Sequence, residues 1–139
     1  MLKIATRDDL TTIRRMAYEF MESTEMKHYA YEEDLNAVID SLLDRDGSIV
    51  LLHGEDGMIA GTISKFPFGP YIVATEMAWW VNPDKRKSNI GRDLLEAFEF
   101  WAKKVGADMV HMVSLDDSVG KFYEKKGYKL LERAYIKAI

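Results

Sequence analysis

The chain has no cysteine. Disulfides, zinc–thiolate sites and a cysteine nucleophile are therefore excluded. Histidine is scarce too: only His28, His53 and His111 occur, far apart in sequence. They read as structural residues, and no metal site is expected. No run is long and apolar enough to span a membrane as a helix. The first residues, Met1 to Asp9, carry charge where a secretory signal needs an apolar stretch. The expected setting is cytoplasmic and reducing, without a membrane partner. There is no excess of positive charge, since 19 Lys and Arg face 23 Asp and Glu for a net charge of -4. That balance argues against a general nucleic-acid binder, though it leaves room for a local basic patch.

What is present is an ordinary globular composition, 47% hydrophobic and 30% charged over 139 residues. Such a chain suits one domain, residues 1–139, with a real core. Leu2 to Ala5 reads as a short strand. Thr6 follows as a helix N-cap with Asp8 and Asp9 in the first turn. Leu10, Ile13, Met16, Ala17 and Phe20 recur at helical spacing. A second helix runs from Tyr31 to Leu43. Ser48 to His53 and Met58 to Phe66 read as strands around a turn, Gly54-Glu55-Asp56-Gly57, whose Asp-Gly pair readily supplies positive φ. Gly61, inside the second strand, marks a bulge or a close backbone approach. Tyr71 to Val81 is a long strand. Asp93 to Val105 is a helix with Leu94, Leu95, Phe98, Trp101 and Ala102 on its core face. Met109 to Leu115 reads as a strand and Ser118 to Lys126 as a short helix ended by Gly127. Tyr128 to Leu131 and Ala134 to Ile139 then read as a closing hairpin.

The strongest chemical signal lies between the long strand and the long helix. Asn82-Pro83-Asp84-Lys85-Arg86-Lys87-Ser88-Asn89-Ile90-Gly91-Arg92 is a basic loop that opens a helix near Ile90. Helix-opening N–H groups have no intrahelical partner, and the helix dipole adds positive charge there. Such a loop suits a phosphorylated ligand, most naturally a pyrophosphate. A solvated basic turn is the plain alternative.

In order and spacing these segments resemble the GCN5-related N-acetyltransferase (GNAT) superfamily over nearly the whole chain. Val81-Asn82-Pro83 followed by Arg86-Lys87-Ser88-Asn89-Ile90-Gly91 is similar to the family's acetyl-CoA loop, Arg/Gln-x-x-Gly-x-Gly/Ala after Val-x-Pro. Phe122-Tyr123-Glu124-Lys125-Lys126-Gly127-Tyr128 is similar to its Phe-Tyr-Glu-Lys-x-Gly-Phe segment. The resemblance implies an α/β (α+β) fold. Its single, mostly antiparallel twisted sheet of six to seven strands is flanked by about four helices and splayed between the fourth and fifth strands. Three positions depart from the pattern. Asn89 stands where glycine is usual and would take over its backbone role, since Asn tolerates left-handed conformations. Lys87 replaces a second common glycine and adds charge. Asp116 replaces an asparagine, keeping a capping oxygen and losing an amide donor.

The implied activity is transfer of an acetyl group from acetyl-CoA directly to a primary amine, with no metal. The cofactor set carried over is Ala78, Trp79, Val81, Arg86, Lys87, Ser88, Asn89, Ile90, Gly91, Arg92, Asp116, Lys121 and Phe122, with the Val81 N–H facing the oxyanion. Glu76 is the base candidate, against a surface strand-edge glutamate. Tyr123 is the candidate acid for the departing thiolate, against a half-buried structural tyrosine. Trp79 and Trp80 are adjacent and must face opposite sides of a strand. One suits the core, while the other suits either packing or an acceptor groove. Glu22, Glu25, Glu32, Glu33 and Asp34 form an acidic region that suits a cationic acceptor or a solvated helix face. The acceptor itself stays open among polyamine, aminoglycoside-like compound, amino acid, peptide N-terminus and protein lysine. Two other readings remain: an acyl-CoA-binding or interaction module without turnover, and a phosphate-binding protein of another fold. The last segment, Ala134 to Ile139, could also pair across a homodimer.

Overall fold

A computed structural model describes all residues, 1–139. Five strands form one sheet in the order β1 (Leu2–Ile4), β2 (Ser48–His53), β3 (Gly57–Lys65), β4 (Ile72–Val81) and β5 (Met109–His111). The first three junctions are antiparallel and β4–β5 is parallel. Four helices flank it: α1 (Leu10–Glu22), α2 (Glu32–Asp44), α3 (Ile90–Lys104) and α4 (Asp117–Lys125). No helix is long and apolar enough to cross a membrane.

The sheet has a core on each face. Ile13, Met16, Ala17 and Phe20 of α1 and Ile39 of α2 pack with Val50, Leu52, Met58, Ala60 and Trp80. On the other face Ile90, Leu94, Phe98 and Ala102 of α3 pack with Ile49, Leu51, Ile59 and Ala74. Covering on both sides explains why β2 is a continuous apolar run rather than an alternating one. Thr6 does cap, but it caps a short 3₁₀ turn, Arg7–Asp9, that precedes α1. Its N–H donates to Asp9 Oδ2 at 2.9 Å in a capping box.

The β2–β3 turn works differently from the expected Asp-Gly arrangement. Positive φ falls on Gly54, at +54°, and no residue of Asp56-Gly57 adopts it. Gly57 serves packing instead: a Cβ there would lie 2.8 Å from Ile90 and Leu94 side-chain atoms. It lets α3 settle against the sheet.

The strand count is lower than the six to seven expected. Tyr128 to Leu131 and Ala134 to Ile139 form no closing hairpin, and residues 129–139 make no backbone hydrogen bond within the chain. A strand needs a partner, and β5 offers little ladder, since it pairs with β4 only over three residues and ends at His111 rather than Leu115.

That short pairing produces the expected splay. Val73, Ala74 and Thr75 pair with Met109, Val110 and His111, and β4 then continues for six residues, Glu76 to Val81, with no strand on that side. At the fork sits a bulge. Ala60 opposes Ala78 and Gly61 opposes Glu76, so Met77 is the extra residue. A Cβ on Gly61 would come within 2.5 Å of the Thr75 carbonyl oxygen and the Phe98 ring, so only glycine fits.

Candidate active site

The bulge decides which side chains reach the fork. Ala74 packs with α3, whereas Ala78 and Trp80 pack with α1 and α2. Without an extra residue, positions 74, 76, 78 and 80 would share one face. Met77 breaks that sequence, so Glu76 stays on the α3 side while Ala78 does not. Glu76 is 7% exposed. Its Oε1 accepts the Val113 N–H at 3.3 Å, across the gap between β4 and the chain beyond β5. Burial favours the neutral carboxyl and pushes its pKa up to about 7, which the Val113 bond only partly offsets.

Tyr123 reaches the same residue, Val113, from α4. Its hydroxyl donates to the Val113 carbonyl oxygen at 2.9 Å, and its ring is buried. Desolvation and the neighbouring Glu76 charge raise its pKa. Trp79 stacks on it with centroids 5.8 Å apart, and Phe122 lies 6.0 Å from Trp79. Tyr128 lies tilted against the Tyr123 ring at 5.5 Å and donates its hydroxyl to Glu99 of α3 at 2.7 Å. Val113 and Glu99 are additions to the sequence reading. Val113 acts through its backbone, which has no signature in side-chain pattern. Tyr128 was visible only as part of the α4 segment.

Beyond the bulge, β4 presents backbone. The Asn82 N–H donates to the Asp56 carbonyl at 2.8 Å. Ladder bonds to β3 therefore fall on alternate residues, Asn82, Trp80 and Ala78. Trp79 and Val81 turn their peptide groups the other way, into the side that β5 has left. The indole Nε1 of Trp79 is buried there without a partner. Trp80 goes to the α1–α2 core, so the adjacent tryptophans do take opposite faces.

Asn82 anchors the basic loop. Its amide donates to the Glu55 carbonyl at 3.0 Å, and its Oδ1 accepts from Trp80 Nε1 at 3.3 Å. Pro83–Lys85 forms a 3₁₀ turn. Arg86 folds back: its Nε donates to the Val81 carbonyl at 2.9 Å and its guanidinium lies 4.6 Å from the Trp80 ring centroid. Its side chain thus braces the loop. Ser88 Oγ donates to the Lys85 carbonyl and accepts the Ile90 N–H at 3.3 Å. Asn89 corrects an expectation. It sits at φ −86°, ψ 5°, so the loop needs no left-handed residue here. The N–H groups of Gly91 and Arg92 have no partner in the chain. Lys85, Lys87 and Arg92 flank them in sequence and are exposed, and Arg92 pairs with Asp93 at 3.4 Å. At Gly91 an added Cβ would meet Trp79 and Val81 at 3.5 and 3.6 Å, ordinary contact.

Of the α4 positions, Asp116 is the N-cap. Its carboxylate accepts from the Val119 N–H at 3.0 Å and the Ser118 hydroxyl at 2.8 Å, and these bonds lower its pKa. Lys121 is exposed. Of the acidic region, Glu22 ends α1, Glu25 opens a 3₁₀ turn, and the rest lies at the start of α2. Glu32, Glu33 and Asp34 fill its first turn, and Tyr31, these acids and Asn36 line a surface hollow.

The site therefore has three parts on one splayed edge: a buried carboxyl and a phenol on one residue, Val113, a stretch of β4 with no neighbouring strand, and an open helix N-terminus in a basic loop. Comparison with known proteins agrees with that reading of the fold. The chain resembles a transcriptional regulator from Bacillus halodurans, with 17% identity, TM-score 0.79, and 100% and 99% of the two chains covered. It resembles an acetyltransferase from Trypanosoma brucei at 22% identity and TM-score 0.74, with 100% and 99% covered. An aminoglycoside 6'-N-acetyltransferase from Acinetobacter haemolyticus is similar at 16% identity and TM-score 0.76, with 100% and 97% covered. No curated protein matches in sequence. The sequence pattern described as the Acetyltransferase (GNAT) family matches residues 7–128, and the chain belongs to that family.

Proposed function

We propose that the chain transfers the acetyl group of acetyl-CoA directly to a primary amine of a small molecule, a peptide or a protein. The observation that carries this is the convergence of Glu76 and Tyr123 on Val113 at the point where β4 and β5 part. A carboxyl and a phenol, both buried and both bonded to one residue, can remove one proton and deliver another.

The residues present fit CoA. The free Gly91 and Arg92 N–H groups, with Lys85, Lys87 and Arg92, suit a pyrophosphate. The outward peptide group of Trp79 and the orphaned Trp79 Nε1 suit an amide of a pantetheine arm. CoA supplies the activated thioester. An alkylammonium of pKa ~10.4 must lose a proton before it can attack, at a cost of roughly 4.6 kcal/mol at pH 7. Glu76 accepts that proton. As the amine nitrogen bonds to the acyl carbon, the Val81 N–H faces the developing oxyanion. When the carbon–sulfur bond breaks, the sulfur keeps the bonding pair and takes the Tyr123 proton. The acylated nitrogen gives up its remaining extra proton, which restores the phenol, and Glu76 releases its own proton to solvent. The raised pKa of Tyr123 keeps the hydroxyl protonated until then.

The test is a screen of amines with acetyl-CoA, read as free thiol and as product mass increased by one acetyl group. Thiol release with some acceptor is expected, with kcat/KM rising through a pKa about 7 from Glu76. Tight CoA binding without thiol release from any acceptor would leave a binding module instead.

A further inference from the structure

Arg15 stands on α1, which packs on the sheet face opposite α3. Its side chain is 40% exposed, and its Nη1 pairs with Glu19, one turn along, at 2.9 Å. Taken alone, such a surface pair is worth little. The same guanidinium reaches two further elements. Nη1 also donates to Asn82 Oδ1 at 3.4 Å, and Nη2 donates to the Glu55 carbonyl of the β2–β3 turn. Asn82 follows the last residue of β4 and opens the basic loop.

These bonds saturate the Asn82 side chain. Its Oδ1 accepts from Arg15 and from Trp80 Nε1, groups that can only donate, so the orientation of the amide is fixed. Its NH2 donates to the Glu55 carbonyl at 3.0 Å and to Asp56 Oδ1 at 3.3 Å. Pro83 disfavours the helical region for the residue before it, and Asn82 has ψ 135°. From this fixed point the chain turns through Pro83–Lys85 toward the open N–H groups of Gly91 and Arg92. Arg86 completes the frame from within the loop. It bonds the Val81 carbonyl and lies over the same indole that Asn82 holds.

We infer that Arg15 is a positioning residue for the cofactor: it fixes Asn82 against the β2–β3 turn and so aims the loop whose N–H groups take the pyrophosphate of CoA. No contact with CoA is required of it. A planar guanidinium suits the task because its N–H groups must meet Asn82 and Glu55 at once, whereas an ammonium is a single point of charge. The inference rests on the acetyl-CoA reading above.

Calorimetric titration of CoA into the full chain at fixed salt compares the parent with Arg15→Gln and Arg15→Lys. Arg, Gln and Lys favour helix alike, so the fold is expected to persist, as circular dichroism checks. Both variants are expected to weaken CoA binding about three- to fivefold, the effect of one hydrogen bond of ordinary net worth on a loop that must be in place to bind. With an amine that is turned over, KM for acetyl-CoA rises by the same factor and kcat at saturation is unchanged. A merely structural arginine would lower the unfolding midpoint and leave the CoA affinity of the folded protein alone. Parental affinity in Arg15→Gln overturns the inference. Parental affinity in Arg15→Lys overturns it too, because charge near the phosphates would then be the whole effect. So does a fall in kcat with KM unchanged. A parent that binds no CoA overturns the acetyl-CoA reading itself, and the inference falls with it.

Discussion

Glu76→Gln separates the chemical role of this carboxyl from its structural cost. In the unfolded chain Glu76 titrates near 4.5, and in the fold at about 7. Below pH 4.5 both states hold the proton and the group is neutral in each. Between those values the folded state binds the proton and the unfolded state does not, so stability falls as pH rises. Above pH 7 the loss is complete. At about 1.36 kcal/mol per unit, the displacement corresponds to about 3 kcal/mol. The group is nearly enclosed, so solvent screening removes little of that figure.

Glutamine keeps the carbonyl oxygen that accepts the Val113 N–H and never ionises. Its NH2 must find an acceptor in the same space, which costs about 1–3 kcal/mol if none is found. The net expectation is a variant less stable than the parent at pH 5 and level with it or more stable at pH 8.5. The difference between the two proteins moves toward the variant by about 3 kcal/mol across that range. Urea unfolding at half-unit pH steps measures it. Asp9 and Asp116, whose pKa values are lowered, titrate below this window. Under the proposed mechanism the same variant loses at least a hundredfold in kcat/KM and its pH dependence near 7. A stability difference independent of pH would refute the buried-carboxyl reasoning, whatever happened to activity.

Tyr123→Phe removes the proton donor and the bond to Val113. A fall in kcat of about a hundredfold, with a stability loss of about 1 kcal/mol, is expected; turnover at the parental rate would remove Tyr123 as the acid. Gly61→Ala forces a methyl group onto the Thr75 carbonyl and the Phe98 ring. Thermal and urea unfolding should show a loss of about 1–3 kcal/mol or more, and an unchanged protein would mean the bulge is not fixed there. Lys87→Ala takes one charge from the open helix N-terminus. It should raise KM for acetyl-CoA about two- to fivefold at low salt, with kcat unchanged and the difference shrinking as salt is added; an equal KM at low salt would place the pyrophosphate elsewhere.

Much of this fold was legible because its elements are periodic. The Leu94, Leu95, Phe98 and Ala102 spacing does place a helix on the sheet, and both faces of β2 are buried as its unbroken apolar run implies. The basic loop announced itself by charge and position, but the division of labour within it did not. Arg86 braces Trp80 and Val81 while the backbone of Gly91 and Arg92 stays open, and that distinction depends on a side-chain fold that composition cannot carry. Asn89 was given a glycine's task that the loop does not require.

The fork itself was the hard part, and the reason is geometric. Gly61 correctly signals a bulge, yet the extra residue is Met77, on the opposite strand. Nothing in Glu76-Met77-Ala78-Trp79-Trp80 distinguishes a bulged strand from a regular one, because each residue is acceptable on either face. One inserted residue nevertheless reverses every position after it. A regular β4 with Trp80 in the α1–α2 core would turn Glu76 toward α1 and α2, away from Tyr123 and Val113. The carboxyl meets the phenol only because Gly61 lacks a Cβ, lets the Thr75 carbonyl and Phe98 close in, and so fixes the bulge one residue before Ala78. The residue that most determines the site's chemistry is thus one that never touches it.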